Sequence, residues 1–134
     1  QLQDFVHQSA IEDYKALSSK YWPGALTMVI PISEKKKFSD TSRNSTLGIR
    51  IPNSLMVKSL ISKSGPLLTS SANLSGYEAL TTADEVSANL PDIHILGPVP
   101  WEKCSGEAST IIGWVNRGRW KLIRKGKVLI PEVC

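Results

Sequence analysis

The spacing of apolar residues changes several times along the chain, and each change marks an element. Ile11, Tyr14 and Leu17 or Ser18 recur every three to four residues and predict a helix to about Lys20. Ser9-Ala10-Ile11-Glu12 ahead of it has the form of a capping box. Residues 1–8 suit either a short strand or a helical turn, with Leu2, Phe5 and Val6 inward. Pro23-Gly24 stops the helix, because proline cannot continue it. Ala25 to Ile30 is nearly continuously apolar and predicts a strand buried on both faces. Glu34 to Thr46 is polar and reads as a loop or a long hairpin tip. Leu47 to Ile51 predicts a second strand, with Ile49 and Ile51 on one face and Arg50 on the other.

A second helix is expected from a cap at Asn53 or Ser54 to about Lys63. Leu55, Met56, Leu60 and Ile61 form its buried side, and Gly65 its stop. Pro66 to Thr69 reads as a strand running into the small polar loop Ser70-Ser71-Ala72-Asn73-Leu74-Ser75-Gly76. Thr82-Ala83-Asp84-Glu85 is another capping box. Its helix turns Val86 and Leu90 inward and ends at Pro91. Ile93 to Leu96 predicts a short strand, and residues 97–107 a turn-rich connection. Ser109 to Val115 and Trp120 to Arg124 predict a hairpin through Asn116-Arg117-Gly118. Val128 to Ile130 predicts a last strand. The order of elements indicates an α/β fold with a twisted mixed sheet and flanking helices.

Composition narrows the class. With 134 residues, 41% hydrophobic and 21% charged, the chain is long enough for one globular domain with a real core. No apolar run approaches the roughly 20 residues that span a bilayer. The two cysteines, Cys104 and Cys134, make neither a metal spacing nor a disulfide framework, which fits a cytoplasmic setting. The net charge of +4 is uneven. Lys35 to Lys37 form one basic cluster; Arg117, Arg119, Lys121, Arg124, Lys125 and Lys127 form another, with Trp114 and Trp120 among them. Interleaved aromatic and basic residues suit RNA. Strand alternation produces the same pattern with tryptophans in the core and charges outside, and this second reading is preferred.

The usual catalytic motifs are absent. There is no Walker loop or G-x-G-x-x-G, and His7 and His94 are the only histidines, which argues against a histidine-based triad. Chemistry here would rest on positioning and charge stabilisation. Arg50 lies among isoleucines and either faces solvent, pairs internally or meets an anion. The hydroxyls of Ser109 and Thr110 either face a ligand or serve a strand. Arg124 and Gly126, at a strand end, suit a phosphate contact or a solvated hairpin. The loop from Thr69 to Gly76 is either a plain turn or a ligand site after a strand.

Five stretches in this order resemble the threonylcarbamoyl-AMP synthase (YrdC-like) family. They are Tyr21-Trp22-Pro23-Gly24-Ala25-Leu26-Thr27, Leu47-Gly48-Ile49-Arg50-Ile51-Pro52, Thr69-Ser70-Ser71-Ala72-Asn73-Leu74-Ser75-Gly76, Ser109-Thr110-Ile111-Ile112 and Ile123-Arg124-Lys125-Gly126. The resemblance implies an enzyme condensing L-threonine, bicarbonate and ATP, with Mg2+, to threonylcarbamoyl-AMP and pyrophosphate. A partner transferase then modifies the tRNA adenosine beside the anticodon. It implies a fold built around a concave basic cavity. It also implies that Arg50, Ser71, Asn73 and Ser109 bind threonine or adenylate, and that Ser71, Asn73 and Arg124 contact the nucleotide or its phosphates. No nucleophile, base or metal ligand is implied. The family's N-terminal Pro-Thr-x-Thr-x-Tyr-Gly-like strand and Lys-x-Arg motif are not found ahead of Tyr21. Ala25 and Lys125 stand where prolines are common. The chain is therefore expected to be a single YrdC-like domain over residues 1–134 lacking its N-terminal portion, as a fragment or a shortened homologue. A non-catalytic RNA-binding module and an inactive nucleotide-binding homologue are the alternatives.

Overall fold

The computed structural model describes residues 2–33, 46–101 and 106–133. They form two compact units. Gln1–Lys63 with Ala108–Cys134 is called here the sheet unit, and Ser64–Glu107 the loop unit. The Lys35 to Lys37 cluster, Cys104, Cys134 and all of the expected polar loop except Thr46 lie outside the described residues.

The sheet unit holds α1 (Ile11–Tyr21), β1 (Leu26–Pro31), β2 (Thr46–Ile49), β3 (Thr110–Asn116) and β4 (Arg119–Arg124), and nearly all of α2 (Leu55–Ser64). The four strands form one mixed sheet in the order β2-β1-β3-β4. β1 runs antiparallel to β2 and parallel to β3, and β3 runs antiparallel to β4. Leu26, Met28, Ile30, Ile49, Ile112 and Trp120 pack with Tyr14 and Leu17 of α1 as one core. This confirms the three-to-four spacing read from α1. Trp114 packs on that core beside its strand partner Trp120, so the hairpin tryptophans face inward as preferred. Gly118 closes the hairpin with φ +71°, a conformation glycine adopts without strain. In β1, Leu26, Met28 and Ile30 are buried, whereas Thr27 and Val29 are half-buried. One face of β1 therefore meets the core, not both.

Several expectations are corrected. The Ser9–Glu12 capping box does not form. A short 3-10 turn, Gln8–Ala10, precedes α1, and Ser9 bonds instead to Nδ1 of His7 through both its N–H and its hydroxyl. Ala10, with no capping side chain, stands at the N-terminus of α1. β2 ends at Ile49, so Arg50 and Ile51 follow the strand. α2 is capped by Ser54 as expected, its hydroxyl accepting from the Val57 N–H at 3.4 Å. No residue of α2 is buried, however, and Leu55 is 76% exposed. Periodicity marks which residues share a face, not what covers it. The strands expected at 66–69, 93–96 and 128–130 are extended or bent chain without ladder partners. A strand is defined by its neighbour, and these short apolar runs have none among the described residues.

In the loop unit, α3 (Ala83–Asn89) has the expected capping box. The Glu85 N–H donates to the Thr82 hydroxyl at 3.2 Å, and the Thr82 N–H donates to the Glu85 carboxylate at 3.1 Å. Val86 is buried. Among the described residues, no helix is long and apolar enough to cross a membrane.

Candidate functional site

The strand directions bring particular residues to one end of the sheet. There β1 and β3 begin, while β2 and β4 finish. Reading across the order β2-β1-β3-β4, this end carries Arg50 just past β2, Gly24 and Thr27 at the start of β1, Ser109 just before β3, and Arg124 at the end of β4. The pair Met28↔Ile49 sets Arg50 across from Thr27. The pair Ile111↔Arg124 sets Arg124 beside β3 at the same level. Leu26, Met28, Ile49 and Ile112 point to the core, so Thr27 and Arg50 point to the opposite face.

Arg50 is fixed by its Nε, which donates to the Gly24 carbonyl at 2.9 Å. The Gly24 N–H in turn donates to the Ile51 carbonyl at 2.9 Å. Gly24 is needed here because a Cβ would collide with the Tyr21 carbonyl at the end of α1. The two terminal nitrogens of Arg50 have no partner among the described residues. Partial burial pulls the Arg50 pKa below its ordinary value, since desolvation penalises the cation. An arginine held by one nitrogen with its fork open can bind an anion in two-point fashion.

Ser109 is 8% exposed. Its carbonyl accepts from Arg124 Nη2 at 2.9 Å and Nε at 3.2 Å, and its hydroxyl lies 3.3 Å from Nη2. The Thr27 and Ser109 hydroxyls are 2.9 Å apart. The neighbouring Thr110 hydroxyl serves structure: it donates to the Val128 carbonyl at 2.6 Å and accepts from the Val128 N–H at 3.1 Å. Gly126 is pressed onto this segment. A Cβ there would lie 2.5 Å from both the Ser109 carbonyl carbon and the Thr110 nitrogen. Among the described residues the ion pairs are Lys15–Glu12 and Lys20–Glu132, so neither Arg50 nor Arg124 has a carboxylate partner.

Ser71 and Asn73 belong to the loop unit. Asn73 donates its side-chain amide to the carbonyls of Leu74 at 2.9 Å and Tyr77 at 3.1 Å. The Leu80 N–H donates to the Ala72 carbonyl at 2.8 Å, closing the loop, and Gly76 sits at φ +86°. The amide donors of Asn73 thus hold the loop's shape. Ser71 is exposed, its carbonyl accepting from the Asn73 N–H at 3.2 Å.

Thr27 carries no role legible in the sequence, Gly24 only that of a helix stop with Pro23, and Gly126 only that of a strand-end turn beside Arg124. All three stand inside the quoted motifs, but only the register and the close approaches give them work. A groove of about 340 Å³ in the sheet unit is lined by Tyr14, Lys15, Ser18, Ser19, Trp22, Pro23 and Ile51. With one cation in its lining, it is not the basic concavity expected. No group of three His, Cys, Asp or Glu residues among the described residues offers a metal site. Magnesium brought in with ATP would be held chiefly by the phosphates and needs no such group.

The Sua5/YciO/YrdC family model, described as telomere recombination, matches residues 1–126. A threonylcarbamoyl-AMP synthase of Serratia proteamaculans is 36% identical over 88 residues, covering 64% of this chain and 47% of the relative. One of Bacillus subtilis is 37% identical over 92 residues, covering 67% of this chain and 26% of the relative. The chain thus spans about half or less of the length of these curated relatives. The solved structure of P. abyssi Sua5 complexed with L-threonine matches with TM-score 0.78 and 31% identity, covering 94% of this chain and 37% of that one. E. coli YciO, at 19% identity and TM-score 0.70, covers 98% of this chain and 62% of its own, and supports the fold alone.

Proposed function

The chain belongs to the Sua5/YciO/YrdC family, and from that premise we propose that it serves the synthesis of threonylcarbamoyl-AMP from L-threonine, bicarbonate and ATP. The observation that carries this reading is the end of the sheet where Arg50 and Arg124 flank Ser109 without a carboxylate partner among the described residues. Such a row of cations and hydroxyl suits an anionic, small-molecule substrate. Its relatives carry the name threonylcarbamoyl-AMP synthase, and a similar Sua5 structure holds L-threonine.

The chemistry balances without a protein nucleophile. The threonine amine takes up bicarbonate to form a carbamate, releasing water. A carbamate oxygen then attacks the α-phosphorus of ATP, and pyrophosphate leaves. In this reading the open fork of Arg50 holds the threonine carboxylate or an adenylate oxygen. The Ser109 hydroxyl donates to the same substrate, and Arg124 contacts the phosphates. Ser71 and Asn73 shape the nucleotide or adenylate site. Magnesium accompanies ATP and neutralises its phosphates. The product serves a transferase acting on tRNA, in the cytoplasm. In this reading residues 1–134 act as one YrdC-like domain.

The test is pyrophosphate release by the chain with ATP, bicarbonate and L-threonine. Release is expected only when threonine and bicarbonate are both present, and Arg50→Ala should lower it on the order of 100-fold. Turnover indifferent to threonine, or to Arg50→Ala in a folded protein, would sink the reading.

A second reading is favoured by one observation. Arg117, Arg119, Lys121, Lys125 and Lys127 are exposed, and none pairs with a carboxylate among the described residues. A non-catalytic RNA-binding module would show salt-sensitive tRNA binding without threonine-dependent turnover. An inactive nucleotide-binding homologue would bind ATP without turnover.

A further inference from the structure

Thr27 sits in the middle of the sheet end, with Arg50 across from it just past β2 and Ser109 diagonal to it just before β3. Its side chain sets one branch toward each neighbouring strand. The methyl faces β2, where it lies 3.6 Å from the position a Cβ on Gly48 would take. The hydroxyl faces β3, 2.9 Å from the Ser109 Oγ. A β-branched residue in a strand holds such a setting firmly. The Thr27 hydroxyl has no other partner among the described residues.

The hydrogen-bond inventory of Ser109 then matters. A serine hydroxyl has one proton and two acceptor sites, while arginine has donors only. Arg124 Nη2 therefore occupies one acceptor site of the Ser109 Oγ, at 3.3 Å. If Ser109 donates to Thr27, its proton is used inside the protein. If Thr27 donates to Ser109, both acceptor sites are filled from within and the Ser109 proton is left to point outward. An anionic group entering this sheet end needs donors and selects the second arrangement.

We propose that Thr27 is a positioning residue: its hydroxyl donates to the Ser109 Oγ and so commits the Ser109 proton to the carboxylate of the amino-acid substrate. This rests on the reading of the sheet end as a threonine site. It adds to that reading a requirement for a hydroxyl at position 27, beyond the requirement for its shape.

Thr27→Val keeps the shape and the strand preference and removes only the hydroxyl, whereas Thr27→Ser keeps the hydroxyl. L-threonine and ATP binding would be measured by calorimetry for the chain and both variants, alongside their melting temperatures. Thr27→Val is expected to weaken threonine binding roughly five- to tenfold, with ATP binding and melting temperature unchanged. Thr27→Ser is expected to stay within about twofold of the parent, in line with a retained hydrogen bond. Equal threonine affinity in Thr27→Val, or loss of threonine and ATP binding together, would overturn the proposal. A second readout does not use the substrate. NMR couplings of Ser109 in the unliganded chain should report one side-chain rotamer in the parent and in Thr27→Ser, and averaging in Thr27→Val. A single rotamer in Thr27→Val would overturn the proposal. Absence of threonine binding by the parent, with these couplings as expected, would overturn the substrate reading alone.

Discussion

The two units of the chain hold their candidate residues by different means. In the sheet unit, Arg50, Thr27, Ser109 and Arg124 are far apart in sequence and are brought together by strand register over a dense core. Leu26, Met28, Ile30 and Ile112 in that core are wholly buried. In the loop unit, Val86 is the buried apolar residue among those described, while Leu67, Leu68, Leu74, Tyr77, Ile93, Leu96 and Val99 are exposed. Ser71 and Asn73 are placed there by hydrogen bonds spanning a few residues. Long-range packing positions one set, and local polar chemistry positions the other. The first is stiff because moving one residue disturbs the packed core; the second can reshape at low cost.

The largest expected contrast comes from truncating one apolar side chain in each unit. Met28→Ala should cost about 3 kcal/mol in chemical denaturation, and Leu68→Ala less than about 0.5 kcal/mol. Similar costs would erase the distinction. Next come the glycines. Gly126→Ala forces a Cβ into the backbone of Ala108, Ser109 and Thr110, which should cost about 2 kcal/mol and weaken substrate binding by displacing Ser109. Gly76→Ala meets nothing within 4 Å but imposes φ +86° on alanine. It should cost about 1 kcal/mol, visible as faster amide exchange confined to the loop. The smallest effect is at α3, where Thr82→Ala should cost about 1 kcal/mol or less. The Glu85 carboxylate has a pKa below its ordinary value, first because the backbone N–H groups of Thr81 and Thr82 donate to it. Its folded value lies below the unfolded one, so its support for the cap is complete above the ordinary carboxylate range. That support is lost as pH falls through the folded value. Amide protection in α3 should follow this pH course and lose it in Glu85→Gln, while β1 protection stays flat.

Legibility in the sequence follows the same division. The capping box at Thr82, the stop at Gly65, the hairpin at Gly118 and the turn at Gly76 are local events and were readable. The Ser9 box was not, because His7 competes for Ser9. Arg50, Ser109 and Arg124 stood out as candidates from their residue types and positions, and the resemblance supplied their roles. That Arg50 keeps two nitrogens open among the described residues while Asn73 commits its amide to its own loop was not visible from residue types.

The sequence by itself determined α1, β1, the β3–β4 hairpin, the capped α3 and the family. Each depends on spacing, caps and turn residues within a few positions, or on ordered motifs. The tertiary structure alone decided which of the remaining short apolar runs became strands, since pairing needs a partner that no single run specifies. It also decided that two arginines and two hydroxyls, scattered from residue 27 to residue 124, share one end of a sheet. Strand direction and register are properties of the assembled chain, set by burying one face of every strand at once.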